Sequence, residues 1–287
     1  WCPAGVPTAP PVASPWMRDI AANGAMGTIS DDPGETSPNG LGQDQVLDWL
    51  QRADLRLEGR IAWSSNATFL CRLLLPDAAG EDDQEIPLRA VYKPRQGERP
   101  LWDFPEGTLC LRERGAWLVD QALGWDLVPP TLLREGPYGF GAVQAFIPHD
   151  PQEHYLAAEG WDRRALRRLA AFDALINNAD RKSGHVLADA AGRLWAIDHG
   201  ICFHEEPKLR TVIWDWAGQR LPAAVLADLR AFAARLEAAD DPFMIELRAL
   251  LSPNELAALA ARCEVLLRER RYPSPDPDSH HVPWPPI

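Results

Sequence analysis

The chain has 287 residues, of which 46% are hydrophobic and 24% charged, enough for one large core or for two lobes that share a cleft. The formal net charge of −12 argues against non-specific nucleic-acid binding, and against strong docking on an anionic membrane unless charge is locally segregated. Five widely spaced cysteines indicate neither a zinc site nor a disulfide framework, and no apolar run reaches the length of about 18 residues that predicts a transmembrane helix.

Residues 1–43 are rich in Pro, Gly, Ser, Thr and Asp and show little periodicity, so we predict a flexible N-terminal arm. The chain starts without the basic region and apolar core of a secretory signal, and its cysteines suit a reducing compartment, so we expect a cytoplasmic protein. Residues 43–57 carry apolar side chains at a helical spacing, which predicts a short helix leading into the first strand.

Two strands, residues 60–63 and 68–75, are predicted to flank the small polar turn that contains Ser64, Ser65 and Asn66. Small polar residues let backbone N–H groups approach phosphate oxygens, so this turn could cover a phosphate. The turn contains no glycine, unlike most such loops, and an ordinary hairpin is an equally good interpretation. An acidic loop at residues 76–85 follows.

Lys93 lies near the end of the next predicted strand, residues 86–94. A lysine there could reach nucleotide phosphates as a point charge, although strand-end lysines are usually solvated. Residues 108–123 predict a helix that carries Glu113. A helix carboxylate can pair with a strand lysine and orient it, and we favour Glu113 over Asp120 for that partner, although helix glutamates are by default surface residues.

Two more strands are predicted at residues 127–133 and 139–147, so the N-terminal part is a mostly antiparallel sheet with one helix. The chain would pass to a second lobe near the end of the last strand. In a nucleotide-binding cleft, backbone groups around Gln144 would meet the adenine edge and Phe146 would line its pocket. A core position is the alternative for this phenylalanine.

Residues 161–176 predict a helix with one buried apolar stripe. Its four arginines lie largely off that stripe, as a solvated face or as a patch for an anionic partner. Asp173, near the end of the helix, is expected to brace the following segment by hydrogen bonds to its backbone. In the preceding loop His149 and His154 lie close together, but the segment is short and broken by proline, which argues against a metal site.

Asp180 and Asp198 lie 18 residues apart, and each follows an apolar run and precedes a turn. The first follows the predicted helix, and the second follows a short strand at residues 193–197. Asp is a common turn residue, so either aspartate alone would favour the simpler interpretation. Phosphoryl transfer, however, uses one carboxylate to orient the attacking hydroxyl and another to hold Mg²⁺ across the nucleotide phosphates. The pair in this order therefore favours that chemistry.

The remaining chain is predicted to form helices at residues 223–238, 242–251 and 253–268. The last begins with Ser252-Pro253-Asn254-Glu255, a capping box with proline at the first helical position. Residues 272–287 form a Pro-rich tail, which is predicted to be extended and either packed or disordered.

Asp180-Arg181, a polar residue five positions after Asp180, and the later Ile197-Asp198-His199-Gly200 resemble two motifs of phosphatidylinositol 3- and 4-kinases. Those motifs are Asp-Arg-His-x-x-Asn and Ile-Asp-Phe-Gly. The pattern is also similar to that of HipA-like serine kinases. We identify the chain as similar to an actinobacterial family of phosphatidylinositol 3-/4-kinase-like proteins, over roughly residues 55–270.

The resemblance implies a bilobal, protein-kinase-like α+β fold with a small antiparallel-sheet N-lobe and a mostly helical C-lobe. It assigns residues 44–147 to the N-lobe and residues 148–271 to the C-lobe, between the arm at 1–43 and the tail at 272–287. ATP, with Mg²⁺ or Mn²⁺, is the implied cofactor.

The same resemblance implies roles for the motif residues. Asp180 would orient the acceptor hydroxyl, Arg181 would anchor its loop on a carboxylate, and Asp198 would hold the principal metal ion. His185 replaces the usual Asn, a second metal ligand, and Mg²⁺ prefers oxygen to imidazole, so an altered site, tolerance of Mn²⁺ or weakened activity is expected. Lys93, followed by proline, is similar to the ATP-binding lysine of the 4-kinase-like families.

Residues 201–220 correspond to the segment that selects the phosphate acceptor in the related kinases. They hold only two or three basic residues, which counts against a phosphoinositide headgroup. The acceptor stays open among a protein, a lipid headgroup and a small molecule. Two alternatives to a kinase also stay open: a nucleotide-binding pseudokinase or regulatory protein, motivated by His185 and the glycine-free turn, and an AMP transferase on the same fold.

Overall fold

The computed structural model describes residues 41–61, 64–75, 84–276, 278 and 280–287, and they form a bilobal α+β fold. Two short 3₁₀ helices accompany the main helices and strands of this part of the chain, at Arg95–Gly97 and Ser183–His185. The helices and strands are α1 (Gln43–Arg52), β1 (Asp54–Arg60), β2 (Phe69–Leu75), β3 (Gln84–Pro94), α2 (Leu109–Leu123), β4 (Thr131–Gly136), β5 (Gly139–Ala145), α3 (Arg163–Ile176), β6 (Val186–Ala188), β7 (Leu194–Ala196), α4 (Ala223–Glu237), α5 (Pro242–Leu250) and α6 (Pro253–Glu269).

The N-terminal lobe is built on a five-stranded antiparallel sheet with the order β1-β2-β3-β5-β4. In its middle, β5 pairs with β3 so that Lys93 lies opposite Ala142. Gly141 permits this close approach, because a Cβ atom at that position would lie 2.4 Å from the carbonyl oxygen of Lys93. The backbone of Lys93 is therefore fixed within a central strand of the sheet.

The predicted helix over residues 43–57 is wrong at its C-terminal end, where the chain forms β1. Val46 and Leu50 are the buried residues of α1, at the spacing of one helical turn. Leu55 falls outside that stripe, and it pairs with Leu73 of β2 instead. A local apolar pattern cannot show that this segment pairs with β2, which lies more than ten residues later in the chain.

Three parts of the chain on which predictions fall lie wholly or mostly outside the described residues. They are residues 1–40 with most of the predicted arm, residues 62–63 at the end of a predicted strand, and residues 76–83 with most of the predicted acidic loop. The acidic loop was expected to reach residue 85, but β3 already begins at Gln84.

Helix α2 has defined ends. Its first turn is capped by the carboxylate of Glu98, which accepts hydrogen bonds from the Leu109 and Cys110 amides at 3.0 and 2.8 Å. It ends at Gly124 in the left-handed conformation, with φ 65°. Both ends agree with the predicted helix to within one residue.

Helix α2 contacts β4 and β5 and also packs into the core of the C-terminal lobe. Val119 and Leu123 belong to the same buried cluster as residues of α3, α4, α5 and α6. Arg112 donates to Glu255 of α6 at 2.5 Å and to the carbonyl oxygen of Cys202 at 2.7 Å. Helix α2 is therefore fastened to the C-terminal lobe by both apolar packing and a buried ion pair.

The helices of the C-terminal lobe begin at side-chain caps. Asp162 and Asp241 accept hydrogen bonds from backbone amides at the starts of α3 and α5. Ser252 and Glu255 exchange hydrogen bonds of 2.8 and 3.3 Å, which confirms the predicted capping box of α6. Among the described residues, no helix combines the length and the apolar content needed to cross a membrane.

Residues 280–287, the end of the predicted Pro-rich tail, pack against the C-terminal lobe. The carbonyl oxygen of Pro286 accepts from the Ser183 amide at 2.8 Å, and that of His281 accepts from the Thr211 amide at 3.1 Å. The packed form of the predicted tail is therefore correct for these residues. The segment is attached both to the loop that contains Asp180 and to residues 201–220.

Candidate active site

Two tight turns place the two motif aspartates. Helix α3 ends at Asn177 with φ 54°, and the chain turns there towards Asp180. Asp198, directly after β7 and Ile197, has φ 61°. Positive φ is uncommon outside glycine, although Asn and Asp adopt it most readily, and such conformations persist where the surrounding structure holds them. Both turns thus use residues suited to this backbone.

Lys93 reaches the second of these aspartates from the opposite lobe. Its ammonium lies 3.1 Å from Asp198 Oδ1 and also contacts Glu113 Oε1 on α2. The other oxygen of Glu113 accepts from the His199 amide at 3.1 Å. The structure therefore brings Lys93, Glu113 and Asp198 together, with Glu113 bridging the lysine and the backbone that follows Asp198.

The charges of this cluster stabilise one another. Burial by itself would lower the pKa of Lys93, but Asp198 and Glu113 outweigh it and hold the pKa above its ordinary value. Partial loss of water opposes ionisation of Asp198, yet the charge of Lys93 holds the pKa of Asp198 well below its usual range. Burial raises the pKa of Glu113 although Lys93 opposes this. Lys93 is therefore a cation and Asp198 an anion at neutral pH.

His185 lies on the other side of Asp198. Its Nε2 is 3.3 Å from Asp198 Oδ2, and its Nδ1 accepts a 3.4 Å hydrogen bond from the Lys182 amide. Burial lowers the pKa of His185 to about 4, so the ring is neutral. Because Nδ1 acts as the acceptor, the proton is assigned to Nε2, which donates to Asp198.

These residues fit one divalent ion that shares its coordination with a ligand. The Asp198 side chain is 48% exposed and offers hard oxygen ligands, and the neutral imidazole of His185 lies beside it. The described residues contain no group of three or more His, Cys, Asp or Glu side chains placed to hold a metal by themselves. Phosphate oxygens and water would have to complete the coordination, as they commonly do for Mg²⁺.

Asp180 is paired with Lys182, a residue for which the sequence analysis gives no role. Lys182 Nζ lies 2.5 Å from Asp180 Oδ2. Burial raises the pKa of Asp180 above its ordinary value, the charge of Lys182 opposes this rise, and nearby Asp198 adds to it. The only sequence signal for Lys182 is its position two residues after Asp180.

Arg181, between these two residues, points into the protein. Its guanidinium binds Asp173 of α3 at 3.0 to 3.2 Å, and both side chains are fully buried. Asp173 also accepts from the side chain of Asn178 at 3.0 Å. Arg181 thus anchors the loop on a carboxylate. Asp173 braces the loop through its side chain and also through its carbonyl oxygen, which accepts from the Asn178 amide at 2.9 Å.

The same guanidinium joins the Asp180 loop to the Asp198 loop. It donates to the carbonyl oxygen of Ile197 at 2.7 Å and to that of His185 at 3.2 Å. Its Nη2 lies 2.7 Å from Nε2 of the buried His199, which must accept because guanidinium has only donors. The relative positions of the two aspartates therefore depend on one buried arginine.

The polar turn at residues 64–66 is tied to the segment that follows β3. Ser64 Oγ shares a 2.8 Å hydrogen bond with Thr68, and Asn66 Oδ1 accepts from the Arg99 amide at 2.9 Å. Ser65 is exposed. The side chains of Ser64 and Asn66 thus bind neighbouring protein groups, and contact with phosphate through this turn stays a prediction.

Gln144 and Phe146 lie where β5 leaves the sheet. The amide of Gln144 is buried and donates to Thr131 Oγ1 at 2.8 Å, so this side chain is committed to the sheet. Phe146 is partly exposed, with its ring centroid 6.2 Å from that of His149. A role for this region at an adenine edge would rest on backbone groups and on the ring of Phe146.

Comparison with solved structures identifies the fold. Hydra Fam20, solved with a sugar, aligns with a TM-score of 0.50 over 79% of this chain and 87% of that chain, at 14% sequence identity. The likeness shows a protein-kinase-like fold.

Sequence comparison identifies the family. No protein-family profile matches the chain. It is 38% identical to protein Rv2133c of Mycobacterium tuberculosis over 271 residues, covering 82% of this chain and 93% of that protein. The chain belongs to the same family as Rv2133c. It is also 25% identical to phosphatidylinositol 4-kinase gamma 4 of Oryza sativa over 182 residues, which are 56% of this chain and 31% of the rice protein.

Proposed function

We propose that this protein is an ATP-dependent phosphotransferase with a phosphatidylinositol 3-/4-kinase-like catalytic core. The observation that carries the proposal is the 3.1 Å contact between Lys93, on the N-lobe sheet, and Asp198, on the C-lobe, in a cluster that also includes Asp180. Phosphoryl transfer needs a phosphate-binding cation, a metal-binding carboxylate and a carboxylate that orients the acceptor. The partial identity to a plant phosphatidylinositol 4-kinase supports the same function.

The N-lobe residues would bind and orient the nucleotide. Glu113 directs Lys93 towards the cleft, where its ammonium would contact phosphate oxygens. Backbone N–H groups of the turn at Ser64, Ser65 and Asn66 would cover the phosphates, and the region of Gln144 and Phe146 would receive the adenine.

The C-lobe residues would hold the metal and the acceptor. Asp198, with His185 beside it, would hold one Mg²⁺ or Mn²⁺, and that ion would neutralise part of the negative charge of the ATP phosphates. ATP would supply the phosphoryl group. Asp180 would accept a hydrogen bond from the acceptor hydroxyl and take its proton as the oxygen–phosphorus bond forms and the bond to the leaving diphosphate breaks. Arg181 would hold Asp180 and Asp198 at a fixed separation.

One observation favours a second candidate, a nucleotide-binding regulatory protein without turnover. The Nε2–H group of His185 donates to Asp198, whereas an asparagine oxygen would serve directly as a metal ligand. Metal binding by His185 would require the proton to leave Nε2. This second candidate would bind nucleotide through Lys93 and Asp198 and would be insensitive to loss of Asp180.

The test combines a thermal shift with turnover of labelled ATP. We expect ATP with Mg²⁺ or Mn²⁺ to stabilise the wild type, and γ-labelled ATP to release or transfer its label. Asp198→Asn should lose the metal-dependent stabilisation. Asp180→Asn should retain it and lose turnover by about 100-fold or more, the usual worth of a general base. Asp240→Asn, which removes the same charge between α4 and α5, should change neither.

Each other outcome selects an alternative. Transfer of an α-label would indicate an AMP transferase. Binding without turnover, unchanged by Asp180→Asn, would indicate the regulatory protein. A wild type that binds no nucleotide with either metal would overturn the proposal.

A further inference from the structure

The large exposed apolar side chains of the protein are not spread evenly over its surface. Five of the eight that the described residues contain lie on segments beside the Asp180 loop: Trp102, Leu156, Val282, Trp284 and Ile287. The two tryptophans are 93% and 90% exposed. Apolar groups gathered in one region, unlike single scattered ones, mark an interaction surface. These five residues are termed the apolar rim.

Ser183 connects two segments of the apolar rim to the Asp180 loop. Its amide donates to the carbonyl oxygen of Pro286 at 2.8 Å, and its hydroxyl accepts from the Leu156 amide at 2.9 Å. Ser183 follows Asp180 by three residues. Leu156 and the segment with Trp284 therefore border the loop that carries the proposed catalytic carboxylate.

Residues 201–220 connect the other side of the apolar rim. The ring of Trp102 lies 5.2 Å from the ammonium of Lys208. Two residues later, Arg210 donates to the carbonyl oxygen of His280 at 3.2 Å. The apolar rim thus borders both the Asp180 loop and the segment expected to select the acceptor.

The charges on the same surface are mainly acidic. Residues 101–106, 149–159 and 204–210 contain seven acidic residues and two basic ones, Lys208 and Arg210. Both basic side chains are engaged, since Lys208 pairs with a carboxylate of its own protein at 2.9 Å and Arg210 binds a carbonyl oxygen.

The acids of residues 204–210 are less engaged than the two bases. Glu205 and Glu206 are both exposed. Glu206 lies 3.9 Å from Lys208, at the limit of an ion pair, and its side chain is 72% exposed. The surface therefore presents accessible negative charge beside its apolar groups.

This combination decides the kind of partner that fits. Anionic lipid would be repelled by the acids, because a membrane surface attracts basic segments. Apolar groups need an apolar counterpart, and exposed carboxylates are complementary to Lys or Arg. A polypeptide segment can supply both within a few residues.

We propose that the apolar rim binds the phosphate acceptor, and that this acceptor is a polypeptide with basic and apolar side chains around its hydroxyl residue. This inference rests on the proposed phosphotransferase function and names its substrate class. Apolar side chains of the acceptor pack on Trp102 and Trp284, and its basic side chains meet Glu205 and Glu206. The acceptor hydroxyl oxygen bonds to the γ-phosphorus of ATP as the bond to ADP breaks, and its proton passes to Asp180.

The test is an array of degenerate peptides with Ser, Thr or Tyr fixed at the centre and one further residue fixed in each spot. Two signals are read: the γ-label transferred from ATP, and the protein bound in the presence of AMP-PNP–Mg²⁺. We expect spots that fix Lys, Arg or a large apolar residue to exceed those that fix Glu by about threefold or more, the worth of an exposed charge pair.

Variants of the apolar rim then locate the binding surface. Trp102→Ala and Trp284→Ala should each weaken the Kd of the preferred peptide by about tenfold or more, because an interface tryptophan often carries over 1 kcal/mol. The Kd of AMP-PNP–Mg²⁺ should not change. Glu205→Gln with Glu206→Gln should remove the preference for basic residues and keep that for apolar ones.

Matched controls change the same chemistry elsewhere. Ile245 of α5 is 59% exposed, and Ile245→Ala should leave peptide binding unchanged. Glu237→Gln with Asp240→Asn removes two exposed charges after α4 and should keep the preference for basic residues. Thermal unfolding verifies that each variant is folded.

A wild type that binds AMP-PNP but shows neither preference, or peptide binding unchanged in both tryptophan variants, would overturn this inference and leave the nucleotide site in place. Sedimentation with phosphatidylcholine vesicles, with and without phosphatidylserine, tests a membrane instead. Vesicle binding that Trp284→Ala abolishes would assign the surface to lipid and overturn the polypeptide acceptor. A wild type that binds no AMP-PNP would overturn the proposed function and this inference with it.

Discussion

The ion pairs formed by two neighbouring residues of one loop, Arg181 and Lys182, differ in their burial. The Arg181–Asp173 pair is fully buried, whereas the Lys182–Asp180 pair is partly exposed. A buried pair cannot lose one partner without leaving an uncompensated charge, while an exposed pair can exchange partners with water or ligand at little cost. The loop thus combines a fixed base with a replaceable contact, and that combination suits a site that must hold its shape while its ligands change.

The largest expected effect is on the buried pair. Asp173→Ala leaves the buried Arg181 guanidinium without its carboxylate partner and the Asn178 side-chain amide without its acceptor. The free energy of unfolding should therefore fall by about 3–5 kcal/mol. Urea unfolding measures this loss. Replacing both partners by apolar residues should cost less than the single change. A loss below about 1 kcal/mol for Asp173→Ala would show that the buried pair is not what fixes the loop.

The next effect depends on pH and concerns His185, whose side chain lies beside Asp198 and is 16% exposed. Burial lowers its pKa from 6.5 to about 4, so between these values the unfolded chain binds a proton that the folded protein does not. Its contribution to stability is complete above pH 6.5 and is lost as pH falls towards 4, by up to about 3 kcal/mol. His185→Asn should remove this loss from the acid limb of the stability curve, as measured by urea unfolding at a series of pH values. Parallel curves for the wild type and the variant would contradict the burial argument.

A smaller effect is expected from removing residues 282–287. The Ser183 amide then loses the carbonyl oxygen of Pro286, and an unsatisfied buried amide costs about 1–3 kcal/mol. Hydrogen exchange at Ser183 should become faster. Trp284→Ala is the control, because this side chain is 90% exposed and its loss should leave Ser183 protected. Unchanged exchange in the truncated chain would mean that the segment does not support the loop.

The smallest effect is expected for the exposed pair. Lys182→Ala should change the free energy of unfolding by less than about 1 kcal/mol, because partly exposed pairs contribute little to stability. Urea unfolding of Lys182→Ala and of Asp173→Ala under the same conditions compares the two losses of unfolding free energy directly. Equal losses in the two variants would remove the distinction between a fixed and a replaceable pair.

Local patterns in the sequence predict the elements that carry the site. The caps at Gly124 and Ser252 define helix ends, and the kinase-like fold agrees with the one that the two aspartate motifs suggest. The cluster of Lys93 with Glu113 also has a local signal, since each residue lies at a recognisable position on its strand or helix.

Contacts between distant segments could not be predicted in the same way. The neighbouring strand β4 supplies Thr131, and this contact decides that the Gln144 amide points into the sheet and not into the cleft. Leu55 lies in a strand because it pairs with β2, which is distant in the sequence. The Pro-rich end of the chain has no periodicity from which its packing on Ser183 could be inferred. The pairing of Lys182 with Asp180 is close in sequence, but a lysine near an aspartate is too common to predict a contact.

The central claim is that Lys93 and Asp198 receive the metal-bound phosphates of a nucleotide. The most direct measurement is an anomalous difference map from crystals grown with Mn²⁺ and AMP-PNP. We predict a manganese peak within coordination distance of the Asp198 carboxylate, with the nucleotide phosphates in hydrogen-bond contact with Lys93. Manganese and nucleotide bound away from Asp198, or a Lys93–Asp198 contact left intact beside a nucleotide bound elsewhere, would contradict the account.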